Sequence, residues 1–204
     1  MSIVSILSLV SLLATRADDE LPKLDNDAES TAEPATIANK TVEELTAAAR
    51  DAVVVIKYHG RDGQSQGVGT GFIIAANGLI ATNYHVIGEA RPISVTLNDG
   101  RNFEVVEIHA TERQADLAVV RIEAENLPIL PLGDSDQVKQ GQPVVVLGNP
   151  LGLEHSVVSG VISGKREIEG LSMLQLAMPI EPGNSGGPVL DMLGAVQGIV
   201  SLKS

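Results

Sequence analysis

From residue 52 onward the chain reads as short apolar runs broken by turn residues. AVVVIKY at 52–58 comes first. GVGTGFII, GLIATN, PISVTLNDG, NFEVVEIHA and DLAVVRI follow. After a looser connector at 123–140 comes a second series: PVVVLG, SVVSGVIS, MLQLAMP, GPVLD and GAVQGIVSL. Runs this short, rich in Val and Ile and bounded by Gly, Asn and Asp, predict β-strands. Asn77-Gly78 and Asp99-Gly100 are hairpin turn signals. No long helical period appears after Arg50. Before it, Thr41-Val42-Glu43-Glu44 is a capping box, which predicts a short helix ending near Arg50. Short strands, glycine-rich turns and little helix point to an all-β fold of barrels or a sandwich. Two series of similar size favour two barrels, the first at about 52–122 and the second at about 140–204.

The N-terminal region breaks the pattern. Residues 3–14 are apolar with interspersed serines, too short for a comfortable membrane span. Small residues at Thr15-Arg16-Ala17 suggest cleavage after Ala17, so 1–17 reads as a secretory signal. That implies a periplasmic or secreted protein; the alternative is an uncleaved segment that associates with the membrane as an anchor. Residues 18–40 are acidic, contain proline and lack large apolar groups, which predicts a flexible linker before a domain at 41–204.

Composition narrows the function. Aromatics make up only 2 % of a chain that is 44 % hydrophobic, so the core must be Val, Ile, Leu and Ala. A formal charge of −12 argues against nucleic acid, whose phosphates would be repelled. The absence of cysteine removes disulfides, thiol catalysis and cysteine zinc sites. Four scattered histidines lack metal-ligand spacing, so no metal or other cofactor is expected.

The candidate chemistry lies in EPGNSGGPVLD at 181–191. Serine is a weak nucleophile unless a held base removes its proton. Ser185 therefore needs a histidine, and that histidine a carboxylate. Gly183-Asn184-Ser185-Gly186-Gly187 fits the G-x-S-x-G elbow of α/β-hydrolases. That elbow needs a helix after the serine and a histidine later in the chain. Here Gly186, Gly187 and Pro188 lead into a strand, and His59, His85, His109 and His155 all precede Ser185. The order His, Asp, Ser belongs to the chymotrypsin arrangement. His85 sits at a strand end and Asp116 at the mouth of the apolar run LAVVRI. Taken singly, each has an ordinary structural reading: a strand-end histidine, a turn aspartate, a glycine turn.

Together these stretches resemble the HtrA (Deg) family of trypsin-like serine proteases. GTGFIIAANGLIATNYHVI is similar to its histidine region and ADLAVVRIEA to its aspartate region. LPLGDSDQVKQGQPVVVLGNPLGLEHSVVSGVIS resembles its domain-joining segment, and LQLAMPIEPGNSGGPVLD its serine region. The resemblance implies a chymotrypsin-like double β-barrel with His85 as general base, Asp116 as its orienting partner and Ser185 as nucleophile. It implies an oxyanion hole from the backbone N–H groups of Gly183 and Ser185. It implies an ATP-independent endopeptidase acting on unfolded or damaged polypeptides in protein quality control. Trimers formed through the N-terminal region are frequent in the family, so a homotrimer is one expectation. The competing reading is a non-catalytic, chaperone-like scaffold that only holds unfolded chains.

The sequence departs from the family in several places. Asn184 stands where digestive trypsin-like enzymes carry an aspartate, so no new N-terminal amine can pair with it. Tyr84 replaces a small residue before the histidine, and Leu176-Ala177 a Thr-Asp pair. Met178, Pro179 and Ile180, with Gly198, Ile199 and Val200, fall where the family binds substrate, and their apolar character suggests small or medium aliphatic side chains at the cut site. After GIVSL the family continues with another strand and usually PDZ domains. A truncated second barrel of five strands, open at one edge and weak or inactive alone, is therefore expected.

Overall fold

The computed structural model describes residues 2–5, 39–59, 65–88, 92–148 and 156–201. The expected flexible linker lies outside the described residues almost entirely, as do His155 and the apolar run beyond Ser5.

The capping box forms as predicted. Glu44 N–H donates to Thr41 Oγ1 at 3.2 Å, and Thr41 N–H donates back to the Glu44 carboxylate at 2.8 Å. These two bonds satisfy donors that a helix start otherwise leaves unpaired. Helix α1 (Val42–Ala49) runs into a short 3₁₀ turn at Arg50–Ala52. Leu45 and Ala49 are its buried face.

Six strands follow: β2 (Val53–His59), β3 (Ser65–Ala75), β4 (Leu79–Thr82), β5 (Ile93–Thr96), β6 (Asn102–Glu112) and β7 (Leu117–Ile122). They close into a barrel in the order β2-β3-β4-β7-β6-β5. The Asn77-Gly78 turn joins β3 to β4 and the Asp99-Gly100 turn joins β5 to β6. Gly78 and Gly100 sit at φ +95° and +85°, where a Cβ is disfavoured.

The second series gives β8 (Pro143–Gly148), β9 (Ser156–Ile168), β10 (Leu171–Ala177), β11 (Pro188–Asp191) and β12 (Val196–Ser201). All five strands expected from the C-terminal half are present. The sixth place is filled from the other end of the chain by β1 (Ser2–Ser5). It pairs antiparallel with β10 (Ser2 opposite Leu176) and with β12 (Ile3 opposite Ser201). The barrel β1-β10-β9-β8-β11-β12 is closed where the sequence led us to expect an open edge. The reason is that an unpaired pair of edges templates any extended backbone within reach.

Both faces of many strands are buried, which explains the continuous apolar runs. In β7, Leu117 and Val119 face a core shared by the two barrels, while Ala118 and Val120 face the first barrel's interior. In β8, Val145 and Leu147 face the shared core, while Val144 and Val146 face the second barrel's interior. The two-residue side-chain period thus sorts each strand between a barrel interior and the seam. The seam core, capped by Leu45 of α1, fixes the barrels against each other. Among the described residues no helix is long and apolar enough to cross a membrane.

Candidate active site

Strand β4 ends at Thr82, and one helical turn α2 (Tyr84–Ile87) follows at once. This turn carries His85. Its first donors are satisfied by Asp116, which precedes the neighbouring strand β7. Tyr84 N–H donates to the Asp116 carbonyl at 3.1 Å, and His85 N–H to Asp116 Oδ1 at 3.0 Å. The buried Asn83 adds a third bond, donating from Nδ2 to the same carbonyl at 2.9 Å.

Asp116 sits at φ +57°, a left-handed conformation that aspartate tolerates better than most residues. That kink just before β7 turns the carboxylate toward α2. Its Oδ2 lies 2.7 Å from His85 Nδ1 and accepts the Ser201 hydroxyl at 2.6 Å. The Asp116 side chain is 5 % exposed, whereas that of His85 is 45 % exposed. Burial presses the Asp116 carboxyl upward. The His85 ring, the Ser201 hydroxyl and the His85 N–H outweigh burial by hydrogen bonding, so the group is held below the ordinary aspartate value. A proton on Nδ1 facing a carboxylate leaves Nε2 as the free ring nitrogen.

Ser185 lies on the second barrel, buried to 7 % exposure, in the turn between β10 and β11. Its position is set by backbone. Asn184 N–H donates to Glu181 O at 3.1 Å and Gly187 N–H to Asn184 O at 2.9 Å. Gly186 N–H donates to Val200 O at 2.9 Å. Gly183 and Gly186 adopt φ +101° and +84°, so glycine is required at both. Among the described residues, the N–H groups of Gly183 and Ser185 have no hydrogen-bond partner. Nor does any hydrogen bond join His85 to Ser185 there. The structure therefore joins His85 to Asp116 directly. It links Ser185 to β4, the strand that precedes the His85 turn, through β3, by Thr70 N–H to Ser185 O at 2.8 Å and Thr82 Oγ1–H to Thr70 O at 2.7 Å.

The remaining sequence-predicted residues divide. Met178 and Ile180 are half-buried against the second barrel's core, and Pro179 is exposed. Ile199 packs in the seam and Val200 in the second barrel's interior, so neither side chain is available to a substrate. Gly198 is buried opposite Val189. Asn184 is 1 % exposed, with both side-chain polar atoms unpartnered among the described residues. It fits because Gly148 has no Cβ, which would meet Asn184 Oδ1 at 2.2 Å. Tyr84 packs partly on the first barrel's core under the Arg113 guanidinium, 4.9 Å from its ring centroid. His59 ends β2 and His109 lies on β6 with a buried side chain beside Glu107, and neither is hydrogen-bonded to Asp116 or Ser185 among the described residues. Sequence reasoning missed Asn83, Thr70, Thr82 and Ser201. The only signal was small polar residues inside or at the end of otherwise apolar runs.

Two six-stranded barrels, with a His–Asp pair on the first and a serine turn on the second that is hydrogen-bonded to the first through Thr70, make the double-barrel class of peptidase fold. The Trypsin-like peptidase domain family matches residues 69–199, which include all three candidate side chains, and the chain belongs to that family. It is 43 % identical over 147 residues to a DegP-like "Probable periplasmic serine endoprotease" of Halomonas elongata, covering 70 % of this chain and 31 % of the relative. A DegP-like relative of the same description from Marinomonas sp. is 41 % identical over 145 residues, covering 69 % and 31 %. The solved structure "HtrA-type protease AlgW with tripeptide" matches at TM-score 0.72 and 34 % identity, covering 78 % of this chain and 53 % of that one. A serine endoprotease of Yersinia pestis matches at TM-score 0.70 and 33 % identity, covering 79 % and 57 %. The chain thus spans about a third of the length of the curated relatives it matches.

Proposed function

We propose that this chain is the protease domain of an HtrA-type serine endopeptidase, which hydrolyses unfolded or damaged polypeptides in the periplasm without ATP. Ser185 Oγ attacks the peptide carbonyl while His85 Nε2 takes its proton and later returns it to the leaving amine. Asp116 holds the ring in the tautomer that leaves Nε2 free and offsets the charge the ring acquires. The free N–H groups of Gly183 and Ser185 stabilise the developing oxyanion. No hydrogen bond needs to join His85 and Ser185 beforehand, since such contacts often tighten only when substrate is bound. Met178, Pro179 and Ile180 form the apolar wall that receives a small or medium aliphatic side chain.

The observation that carries this reading is the buried Asp116 carboxylate gripping His85 at both its ring nitrogen and its backbone, at 2.7 and 3.0 Å. A non-catalytic scaffold has no physical need for an ionised carboxylate buried behind a cleft histidine. The relatives' names and the tripeptide-bound neighbour support a polypeptide substrate. The test is hydrolysis of a reduced, alkylated, unfolded protein without ATP. Turnover by the wild-type chain that disappears in Ser185→Ala is expected. Binding of that substrate with no cleavage would favour the scaffold instead.

A further inference from the structure

We propose that Thr70, on the first barrel, is the positioning residue that sets the nucleophile turn of the second. The kinetic half of this inference rests on the function proposed above; the structural half does not.

The turn at 181–187 has carbonyls that need partners. Asn184 O is held from within the turn, by Gly187 N–H. The carbonyls on either side of it, Gly183 O and Ser185 O, both go to Thr70. Its Oγ1–H donates to Gly183 O at 2.7 Å and its N–H to Ser185 O at 2.8 Å. In a trans peptide the C=O and N–H point in opposite directions, so fixing one end aims the other. The 183–184 peptide is pinned at both ends, by Thr70 on its oxygen and Glu181 O on its nitrogen. The 185–186 peptide is pinned likewise, by Thr70 on its oxygen and Val200 O on its nitrogen. Between them lies the 184–185 peptide, whose N–H belongs to Ser185. Its direction, and that of the Ser185 Cα–Cβ bond, are fixed by neighbours that one residue of the opposite barrel clamps.

Thr70 is itself locked. It is fully buried, and its carbonyl accepts the hydroxyl of Thr82, the last residue of β4 before the His85 turn. Gly186 makes the approach possible, because a Cβ there would stand 2.0 Å from Thr70 O and 2.5 Å from Thr82 Oγ1. A continuous chain of hydrogen bonds therefore runs from the base-bearing strand to the nucleophile. The sequence marks Thr70 only as the polar residue in GVGTGFII.

Thr70→Val keeps shape and the N–H bond but leaves Gly183 O unpaired; Thr70→Ser keeps the hydroxyl. In Thr70→Val, amide hydrogen exchange in the peptide spanning 181–187 should rise about fivefold, while β7 stays unchanged and Thr70→Ser stays at the wild-type rate. In the same variant kcat should fall about 10- to 100-fold, the cost of a misplaced reacting group, with KM kept within about twofold. Thr70→Ser should recover most of kcat. Should Thr70→Val fail to fold, Thr82→Val, which frees the Thr70 carbonyl alone, should raise exchange at 181–187 by about twofold. Unchanged exchange there, a uniform rise across both barrels, or no rescue by Thr70→Ser would overturn the proposal. A wild-type chain that neither cleaves protein nor labels with a fluorophosphonate would sink the protease reading, and the exchange pattern would still decide the role of Thr70.

Discussion

The two barrels share one strand plan but are built differently. In the first, the six strands run consecutively from Val53 to Ile122, so every pairing, including β2 with β5 and β4 with β7, falls within that one segment. In the second, five strands are consecutive and the sixth is β1, drawn from residues 2–5. Placing the orders side by side, β1 occupies in the second barrel the position that β7 holds in the first: next to the third strand and the fifth. The first barrel closes within one contiguous segment, whereas closing the second costs a loop of more than a hundred residues, an entropic expense that grows only slowly with length. The catalytic candidates follow the same division. His85 and Asp116 sit on the self-contained barrel, cross-braced by Asn83 and each other. Ser185 sits on the composite barrel and takes part of its bracing from the first, through Thr70. The difference teaches that the base is held by its own barrel, and the nucleophile by the seam.

That contrast can be broken at several points. The largest effect is expected at the nucleophile. Ser185→Ala should reduce hydrolysis by about 10⁴-fold or more and leave the unfolding midpoint within about 2 °C, as read by steady-state rates and a thermal melt. Asp116→Asn comes next: it removes the charge behind His85 and favours the wrong tautomer, so kcat should fall by about 10³- to 10⁴-fold.

The same variant tests the electrostatics through pH. The folded Asp116 value lies below its ordinary one, so its contribution to stability is complete above the unfolded value of about 3.9. That contribution is lost as pH falls through the lower folded value. The stability gap between wild type and Asp116→Asn should therefore shrink as pH falls from about 4 toward 3. A gap that widens over that acid range would show the carboxyl to be raised, not lowered.

Stability variants separate the barrels. Val120→Pro in β7 should prevent folding, because it removes a ladder donor inside a closed, buried barrel. Val4→Pro in β1, at the equivalent place, should lower the unfolding midpoint by only about 5 °C, since the other five strands keep their contiguous pairing. Equal losses from the two prolines would erase the distinction between the barrels. The smallest effect is at the helix start: Thr41→Ala removes the cap and should cost about 1 kcal/mol, or roughly 2–4 °C.

Much of this was legible in the sequence, and the reasons are physical. The capping box at Thr41 and Glu44 is a local motif whose geometry depends on four residues, so it survives any tertiary context. Turns at Gly78 and Gly100 are likewise local. Two barrels were readable because the apolar runs have strand length and fall in two series. What pattern alone concealed was the partner of each edge. Nothing in SIVS distinguishes a strand from the start of a signal-like segment, because pairing with β10 and β12 is a long-range event. The site was legible through its residue types and their order, but its supports were not. Ser201 and Thr70 each sit in a strand as one small polar residue among apolar neighbours. Only the fold brings their hydroxyls to Asp116 and to the Ser185 turn. Ile199 and Val200 show the same limit: the two-residue period, which only the fold sets, buries one in the seam and the other in the barrel.

The central claim is that a hydroxyl on one barrel becomes reactive through an imidazole on the other. Fluorophosphonate labelling, located by peptide mass spectrometry, tests it most directly. The account predicts a single adduct on Ser185, formed at a rate that falls by several orders of magnitude in His85→Ala. An unlabelled Ser185 in the folded chain, or labelling just as fast without the imidazole, would contradict it.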